Sequence, residues 1–115
     1  MIVIVSQDLM MTSSANAVAR RLSRICKPAS TMAKALGLIN SEDVSLLLVD
    51  LQLPGLEISE AGVALNSLAG DKRPYCVAYA QHVNVDLIED AQQQGFDQVL
   101  TRGQLNRDLD ALFNR

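Results

Sequence analysis

The chain has 115 residues, of which 49% are apolar and 20% are charged. This length suits one domain, and the apolar content excludes a disordered acidic tail. The net charge is −3 and aromatic residues make up only 3% of the chain, so we expect no nucleic-acid binding. No run approaches the roughly 20 apolar residues of a membrane span, and we expect no membrane partner.

The first predicted elements alternate between strand and helix. The β-branched run Ile2–Val5 predicts a strand covered on both faces. Residues 24–28 carry a weak strand signal with Pro28 at its end or at a sheet edge, and residues 30–38 predict a helix ending near Gly37. Between the first two strands, a first helix is predicted from apolar residues at helical spacing: Ala15, Val18, Ala19, Leu22, Ile25 and Cys26.

The alternation continues around an aspartate. Residues 44–49 form a second continuous apolar run, closed by Asp50, and Tyr75–Ala80 form a third. Between them, four apolar residues at helical spacing predict another helix: Ile58, Ala61, Leu65 and Leu68.

The last elements follow the same order. Asn84 is placed to cap a helix, and Gly95 supplies a left-handed stop after it. Residues 97–101 predict a short strand nearer a sheet edge. A C-terminal helix is predicted from four apolar residues: Leu105, Leu109, Leu112 and Phe113.

Strict alternation predicts one α/β domain over residues 1–115, doubly wound and flavodoxin-like. Because the crossovers are right-handed, a chain of this size favours a five-stranded parallel sheet of order 2-1-3-4-5, with helices on both faces. Ligands and chemistry in this fold gather at the carboxyl ends of the central strands. The candidate residues are therefore those that follow each strand.

The segment 46–55, LLLVDLQLPG, resembles the phosphoacceptor segment of two-component response-regulator receiver domains, the CheY-like family. The family pattern is a hydrophobic strand, an aspartate and a Pro-Gly-type turn that begins four residues later, here Pro54 and Gly55. Residues 91–102 resemble the family's run from the fourth helix into the fifth strand. The resemblance implies that Asp50 is the candidate phosphoacceptor.

The same resemblance implies an acidic pair after the first strand, which holds Mg²⁺ together with the acceptor. This chain has Ser6 and Gln7 at those positions, and Asp8 is the nearest carboxylate. Asp8 is therefore either a metal ligand beside Asp50 or a cap for the first helix.

Three further positions depart from the family pattern. Tyr79 stands where the family has a Ser or Thr that binds the phosphoryl oxygen. Arg102, followed by Gly103, replaces a Lys-Pro pair, and Val99 replaces an aromatic switch residue. Because arginine pairs bidentately with carboxylates, we expect Arg102 to clamp Asp50.

These departures predict a stand-alone pseudo-receiver that acts in signalling by protein–protein interaction, with no enzymatic activity beyond chemistry on Asp50. The resemblance implies a partner surface, and a possible homodimer, on the face of the fourth helix, fifth strand and fifth helix. No cofactor is expected.

Two alternatives stay open. In the first, Asp50 accepts a phosphoryl group from a histidine kinase or phosphotransfer partner, with Mg²⁺ held by Asp8 and Asp50 and with Arg102 steadying the product. In the second, the crevice at the strand ends binds a small ligand.

The remaining expectations concern location and isolated residues. The N-terminal apolar run is too short for a signal peptide, and Cys26 and Cys76 are distant from each other, so a cytoplasmic protein with reduced thiols is expected. The lone His82 is expected to be solvated.

Overall fold

The computed structural model describes residues 1–115, and strands alternate with helices throughout. The strands are β1 (Ile2–Val5), β2 (Cys26–Ala29), β3 (Leu46–Asp50), β4 (Tyr75–Ala80) and β5 (Gln98–Thr101). The helices are α1 (Leu9–Arg21), α2 (Met32–Ser41), α3 (Ile58–Asn66), α4 (Val85–Gln92) and α5 (Arg102–Phe113). All strands are parallel in the order β2-β1-β3-β4-β5, which confirms the predicted fold class.

The helices cover both faces of the sheet because successive strand residues point to opposite sides. Ile2 and Ile4 of β1 pack in the core that contains α1 and α5. Val3 and Val5 pack in the core that contains α2 and α3. This double burial explains why β1 and β3 are continuous apolar runs.

The predicted extension of the first helix to Ile25 and Cys26 is wrong. Helix α1 ends at Arg21, and Ser23 turns the chain with a φ of 56°. Ile25 is 63% exposed and Cys26 begins β2, so their helical spacing reflects no shared helix face. The second strand accordingly lies at Cys26–Ala29 rather than at 24–28.

Two helix ends also differ from their predictions. Helix α2 continues through Gly37 to Ser41, because a glycine inside a helix costs only about 1 kcal/mol and a Thr31 cap fixes the start. Leu68 lies beyond the end of α3 yet still packs against the core. The prediction for Gly95 is confirmed by its φ of 81°.

Each helix is too short or too polar to traverse a lipid bilayer.

Candidate functional site

The sheet register places three predicted site residues side by side at the carboxyl ends of neighbouring strands. Val5 lies opposite Val49, so Ser6, the next residue, reaches the level of Asp50. Asp50 in turn lies opposite Tyr79. Since Ile4, Leu48 and Val77 contribute to the α1–α5 core, the alternation directs Ser6, Asp50 and Tyr79 to that same face.

These three side chains form a hydrogen-bond chain. The Tyr79 hydroxyl donates to Ser6 Oγ at 2.9 Å, and Ser6 Oγ donates to Asp50 Oδ2 at 3.0 Å. Ser6 Oγ also accepts from the Asp8 backbone N–H at 2.9 Å. A hydroxyl has one donor and two acceptor sites, so all the hydrogen-bonding capacity of Ser6 is used. All three residues are buried: Tyr79 is 1%, Ser6 6% and Asp50 8% exposed.

The second carboxylate oxygen of Asp50 is held by the following loop. Asp50 Oδ1 accepts from the Gln52 backbone N–H at 2.9 Å. The Gln52 side chain then accepts from the Gln81 backbone N–H at 2.8 Å, which ties the β3–α3 loop to the β4–α4 loop. Sequence reasoning missed Gln52; its place two residues after Asp50, between the end of the strand and the predicted turn at Pro54 and Gly55, is the signal that points to it.

Asp8 has two roles near the site, neither of which involves Asp50. Its Oδ1 accepts from the backbone N–H groups of Met10 and Met11, at 3.1 and 3.2 Å, and so caps α1. Arg102 Nε donates to Asp8 Oδ2 at 2.8 Å, and the Arg102 guanidinium also donates to Oδ1 at 3.3 Å. Of the two roles predicted for Asp8, the structure therefore has the helix cap.

The expected clamp between Arg102 and Asp50 is not present, because Arg102 pairs with Asp8. A capping box between Thr101 and Gln104 fixes Arg102 as the first residue of α5. From there the guanidinium reaches the two oxygens at the start of α1, which suit its forked donors. Asp50 forms no ion pair, and its two oxygens accept hydrogen bonds from Ser6 and from the Gln52 N–H.

The ion pair and the burial of the tyrosine set the protonation states around the site. The hydrogen bond from Arg102 lowers the pKa of the Asp8 carboxyl, against the opposing effect of its burial. Burial raises the pKa of the Tyr79 hydroxyl well above its usual value. At neutral pH, Tyr79 therefore remains a neutral donor to Ser6.

The donor set at the strand ends does not fit Mg²⁺. This ion needs about six oxygen ligands in a near-octahedral arrangement. Asp8 is paired with Arg102 and Ser6 is fully hydrogen-bonded, which leaves Asp50 as the one carboxylate of the site without an ion pair. No three His, Cys, Asp or Glu residues lie close enough together to hold a metal ion.

The other candidate residues lie apart from this cluster. Val99 packs against the same buried cluster as Leu87 and Ile88 of α4, and His82 is exposed in the β4–α4 loop. Cys26 and Cys76 are unpaired, and burial raises the pKa of both thiols to about 11.

A cleft of about 560 Å³ lies beside Ser6, between the end of β2 and α2. Its lining includes the ammonium-bearing Lys34, which donates to Ser30 Oγ. This is the crevice available to a small ligand at the strand ends.

With this geometry defined, comparison with solved structures shows what the fold resembles. The chain is similar to the receiver domain of a sensor histidine kinase from Pseudomonas aeruginosa that has a magnesium ion coordinated in its active-site cleft. The TM-score is 0.77 at 18% identity over 99% of this chain and 97% of that one. It is also similar to the receiver domain of the TMAO respiratory system response regulator TorR, with a TM-score of 0.81 and 16% identity over 96% and 89% of the two chains.

A third similar structure is a CheY-like response-regulator receiver domain protein from Methanospirillum hungatei. Its TM-score is 0.71 at 19% identity, over 98% of this chain and 95% of that one. No protein-family model and no curated protein matches the sequence. The fold is therefore that of response-regulator receiver domains.

Proposed function

We propose that residues 1–115 form one receiver-like signalling domain of the pseudo-receiver type, which acts through protein partners without phosphorylation of Asp50. The observation that supports this best is the mutual satisfaction of the polar side chains at the strand ends. Tyr79 donates to Ser6, Ser6 donates to Asp50, and Arg102 donates to Asp8. No enzymatic turnover is assigned.

Phosphoryl transfer to Asp50 would meet two physical obstacles. The acceptor is 8% exposed and both of its oxygens already accept hydrogen bonds. The charge that develops on the phosphoryl group also needs a bound cation for neutralisation, and Arg102 is committed to Asp8.

Tyr79 adds a third obstacle. The resemblance to receiver domains implies a short hydroxyl that bonds a phosphoryl oxygen, but the Tyr79 ring is fully buried and its hydroxyl is directed to Ser6. The Tyr79 hydroxyl therefore donates to Ser6 and not to a group bound at Asp50.

The proposed partner surface is the face of α4, β5 and α5, which would also serve a homodimer. On α4, Asp86, Glu89 and Asp90 form no ion pairs and are exposed, which favours a partner with a basic patch. The proposal includes no nucleic acid, membrane or bound cofactor. It places the protein in the cytoplasm, which the two unpaired cysteines support.

The decisive experiment is incubation with Mg²⁺ and acetyl phosphate, followed by intact-mass measurement. If Asp50 attacked phosphorus, a P–O bond would form, acetate would leave, and the protein would gain one phosphoryl group. We expect no gain for the natural chain and none for Asp50→Asn. A gain that disappears in Asp50→Asn would contradict the proposal.

A variant that carries the residue types of the receiver family serves as a positive control for the mass measurement. The triple variant Ser6→Asp, Gln7→Asp, Tyr79→Thr brings back two acidic residues after β1 and a short hydroxyl after β4. We expect this variant to bind Mg²⁺ and to gain phosphoryl mass that Asp50→Asn removes, provided that circular dichroism shows it folded.

A second candidate is a genuine phosphoacceptor, which one observation favours: Asp50 is buried at the end of β3 without any cation. Mg²⁺ occupies the cleft of the similar Pseudomonas domain, and an ion entering here would need Asp8 to leave Arg102. The same mass measurement separates the two candidates, since only the phosphoacceptor gains mass without substitution.

A further inference from the structure

A groove runs between α2 and α3, on the face of the sheet opposite α1 and α5. Its volume is about 460 Å³. The apolar lining comes from α2, from the loop after β3 and from α3: Met32, Leu36, Leu53, Leu56, Ala61 and Ala64. Such a volume matches the ligand sites of other proteins, which are mostly apolar with a few polar groups.

Helix α3 is held closely on the flank that faces away from the groove. A Cβ on Gly62 would lie 2.6 Å from the Gln94 carbonyl oxygen, so only glycine permits this close approach between α3 and the turn after α4. Asn66 Nδ2 reinforces the contact by donating to the carbonyl oxygens of Gly62 and Gln94. On the α2 flank, Ala61 and Ala64 are too small to fill the space toward Met32.

The rim of the groove is acidic at one end. Glu57 and Glu60 line it, both are exposed, and neither forms an ion pair. No lysine or arginine contributes to the lining. The groove therefore presents an apolar floor next to two carboxylates at the start of α3 that form no ion pair.

We propose that this groove docks a peptide segment of a partner protein that carries apolar side chains followed by a lysine or arginine. The apolar side chains lie on the floor, where the flexible Met32 adapts to their shape. The cation lies at the rim beside Glu57 and Glu60, where opposite charge increases the rate of association and excludes acidic segments. The open side of the groove leaves room for the rest of the partner chain.

This inference goes beyond the proposed function and uses a different surface from the face of α4, β5 and α5. It also reaches the strand-end site. Leu53 contributes to the groove, and its backbone N–H donates to the Asp50 carbonyl oxygen at 3.1 Å. A peptide on the floor therefore contacts the loop that holds Asp50.

The test is an NMR titration of the whole chain with a blocked tripeptide of two leucines and a lysine. We expect a dissociation constant on the order of millimolar and shifts confined to residues 31–36 and 53–64. The double variant Glu57→Gln, Glu60→Gln should weaken binding by roughly threefold to tenfold, and added salt should do the same. The matched control, Asp43→Asn with Asp71→Asn, removes two exposed carboxylates that form no ion pair and lie outside both proposed surfaces, and it should leave binding unchanged.

Three further probes decide the nature of the occupant. A blocked tripeptide of two leucines and a glutamate should bind more weakly, and one of two glycines and a lysine should not bind. Equal binding of the acidic peptide, or no shift with the lysine peptide up to about 10 mM, overturns the proposal. Binding of hexylamine without binding of the peptide identifies a small-molecule site instead.

Self-association provides the last outcome. If light scattering shows a dimer and the groove signals broaden with protein concentration, a second copy is the occupant and the peptide proposal fails. None of these results depends on the phosphorylation of Asp50, so the groove and the pseudo-receiver proposal stand or fall separately.

Discussion

Two aspartates, one at each end of the sheet, are stabilised in different ways. At the amino end, Asp97 pairs with Arg73 at 2.8 Å and accepts from the Cys76 backbone N–H at 2.7 Å. Arg73 also donates to the carbonyl oxygens of Pro74 and Gly95, so it joins the segments that enter β4 and β5. At the carboxyl end, Asp50 is more deeply buried and has no cation.

The contrast shows what a purely structural carboxylate looks like in this molecule. Burial acts to raise the pKa of Asp97, but the Cys76 N–H and the Arg73 guanidinium outweigh it and lower the pKa. Asp50 has only neutral donors, the Ser6 hydroxyl and the Gln52 backbone N–H, and forms no ion pair. A carboxylate buried without an ion pair costs stability, so we expect Asp50 to contribute less to the stability of the fold than Asp97.

The largest effect is expected at Ser6. Ser6→Ala removes the acceptor of the buried Tyr79 hydroxyl, the acceptor of the Asp8 N–H and a donor to Asp50. We expect the free energy of unfolding to fall by about 2–3 kcal/mol, because these groups lose their partners out of contact with water. Urea denaturation measures it, with the exposed Ser13→Ala of α1 as the control. A loss no greater than that of the control would show that the hydrogen bonds among Tyr79, Ser6 and Asp50 do not stabilise the fold.

Asp97→Asn is expected to have the next largest effect. The change removes the charge that Arg73 and the Cys76 N–H stabilise, so the free energy of unfolding should fall by about 1–2 kcal/mol. The exposed pair of Arg107 and Asp108 provides the control, since Asp108→Asn should leave the urea midpoint unchanged. Equal shifts for the two variants would contradict the role assigned to Asp97.

Asp8 should give a smaller, pH-dependent effect. Arg102 lowers the pKa of Asp8 in the folded chain, so this stabilisation is complete above the unfolded pKa of about 4 and is lost as the pH falls through the lower folded value. Asp8→Asn keeps a good helix cap, and we expect it to cost less than about 1 kcal/mol at neutral pH. Unfolding measured between about pH 2 and pH 5 should depend less on pH in this variant. An unchanged slope would mean that the ion pair does not form in solution.

Asp50→Asn should have the smallest effect on stability. It removes a buried carboxylate that forms no ion pair, which favours stability. The amide Nδ2 that replaces one oxygen cannot accept from the Ser6 hydroxyl or the Gln52 N–H, which opposes this gain, so we expect the two effects to offset within about 0.5 kcal/mol. Urea denaturation beside Asp97→Asn, the same chemical change at the other end of the sheet, tests the contrast directly. A loss at Asp50 as large as that at Asp97 would mean that both carboxylates are structural.

Much of the fold was predictable because it depends on local patterns. Strands covered on both faces read as continuous apolar runs, and β4 begins and ends at the predicted residues. The level arrangement of Ser6, Asp50 and Tyr79 follows from parallel strands whose ends meet at one edge.

The partner of Arg102 was not predictable in this way. Arg102 pairs with Asp8 and not with Asp50 because of where α5 begins relative to α1. The start of α5 is set by the Thr101 capping box and by core packing between the two helices. The end of α1 was missed for a related reason, because apolar residues beyond Ser23 happen to continue the helical spacing. The close approach of α3 to the turn after α4 requires glycine at position 62, which no periodicity reveals.

Pro28 has a consequence for how the sheet can grow. Ile2 lies opposite Cys26 and its N–H donates to the Ile25 carbonyl, so the alternation turns the backbone groups of Lys27 toward β1 and those of Pro28 toward the open edge. Proline has no N–H, so an added strand would lack one of its few bonding partners there and would meet the exposed Lys27 side chain. Edge-to-edge polymerisation through β2 is thereby disfavoured, and any continuous sheet shared by two chains would begin at β5.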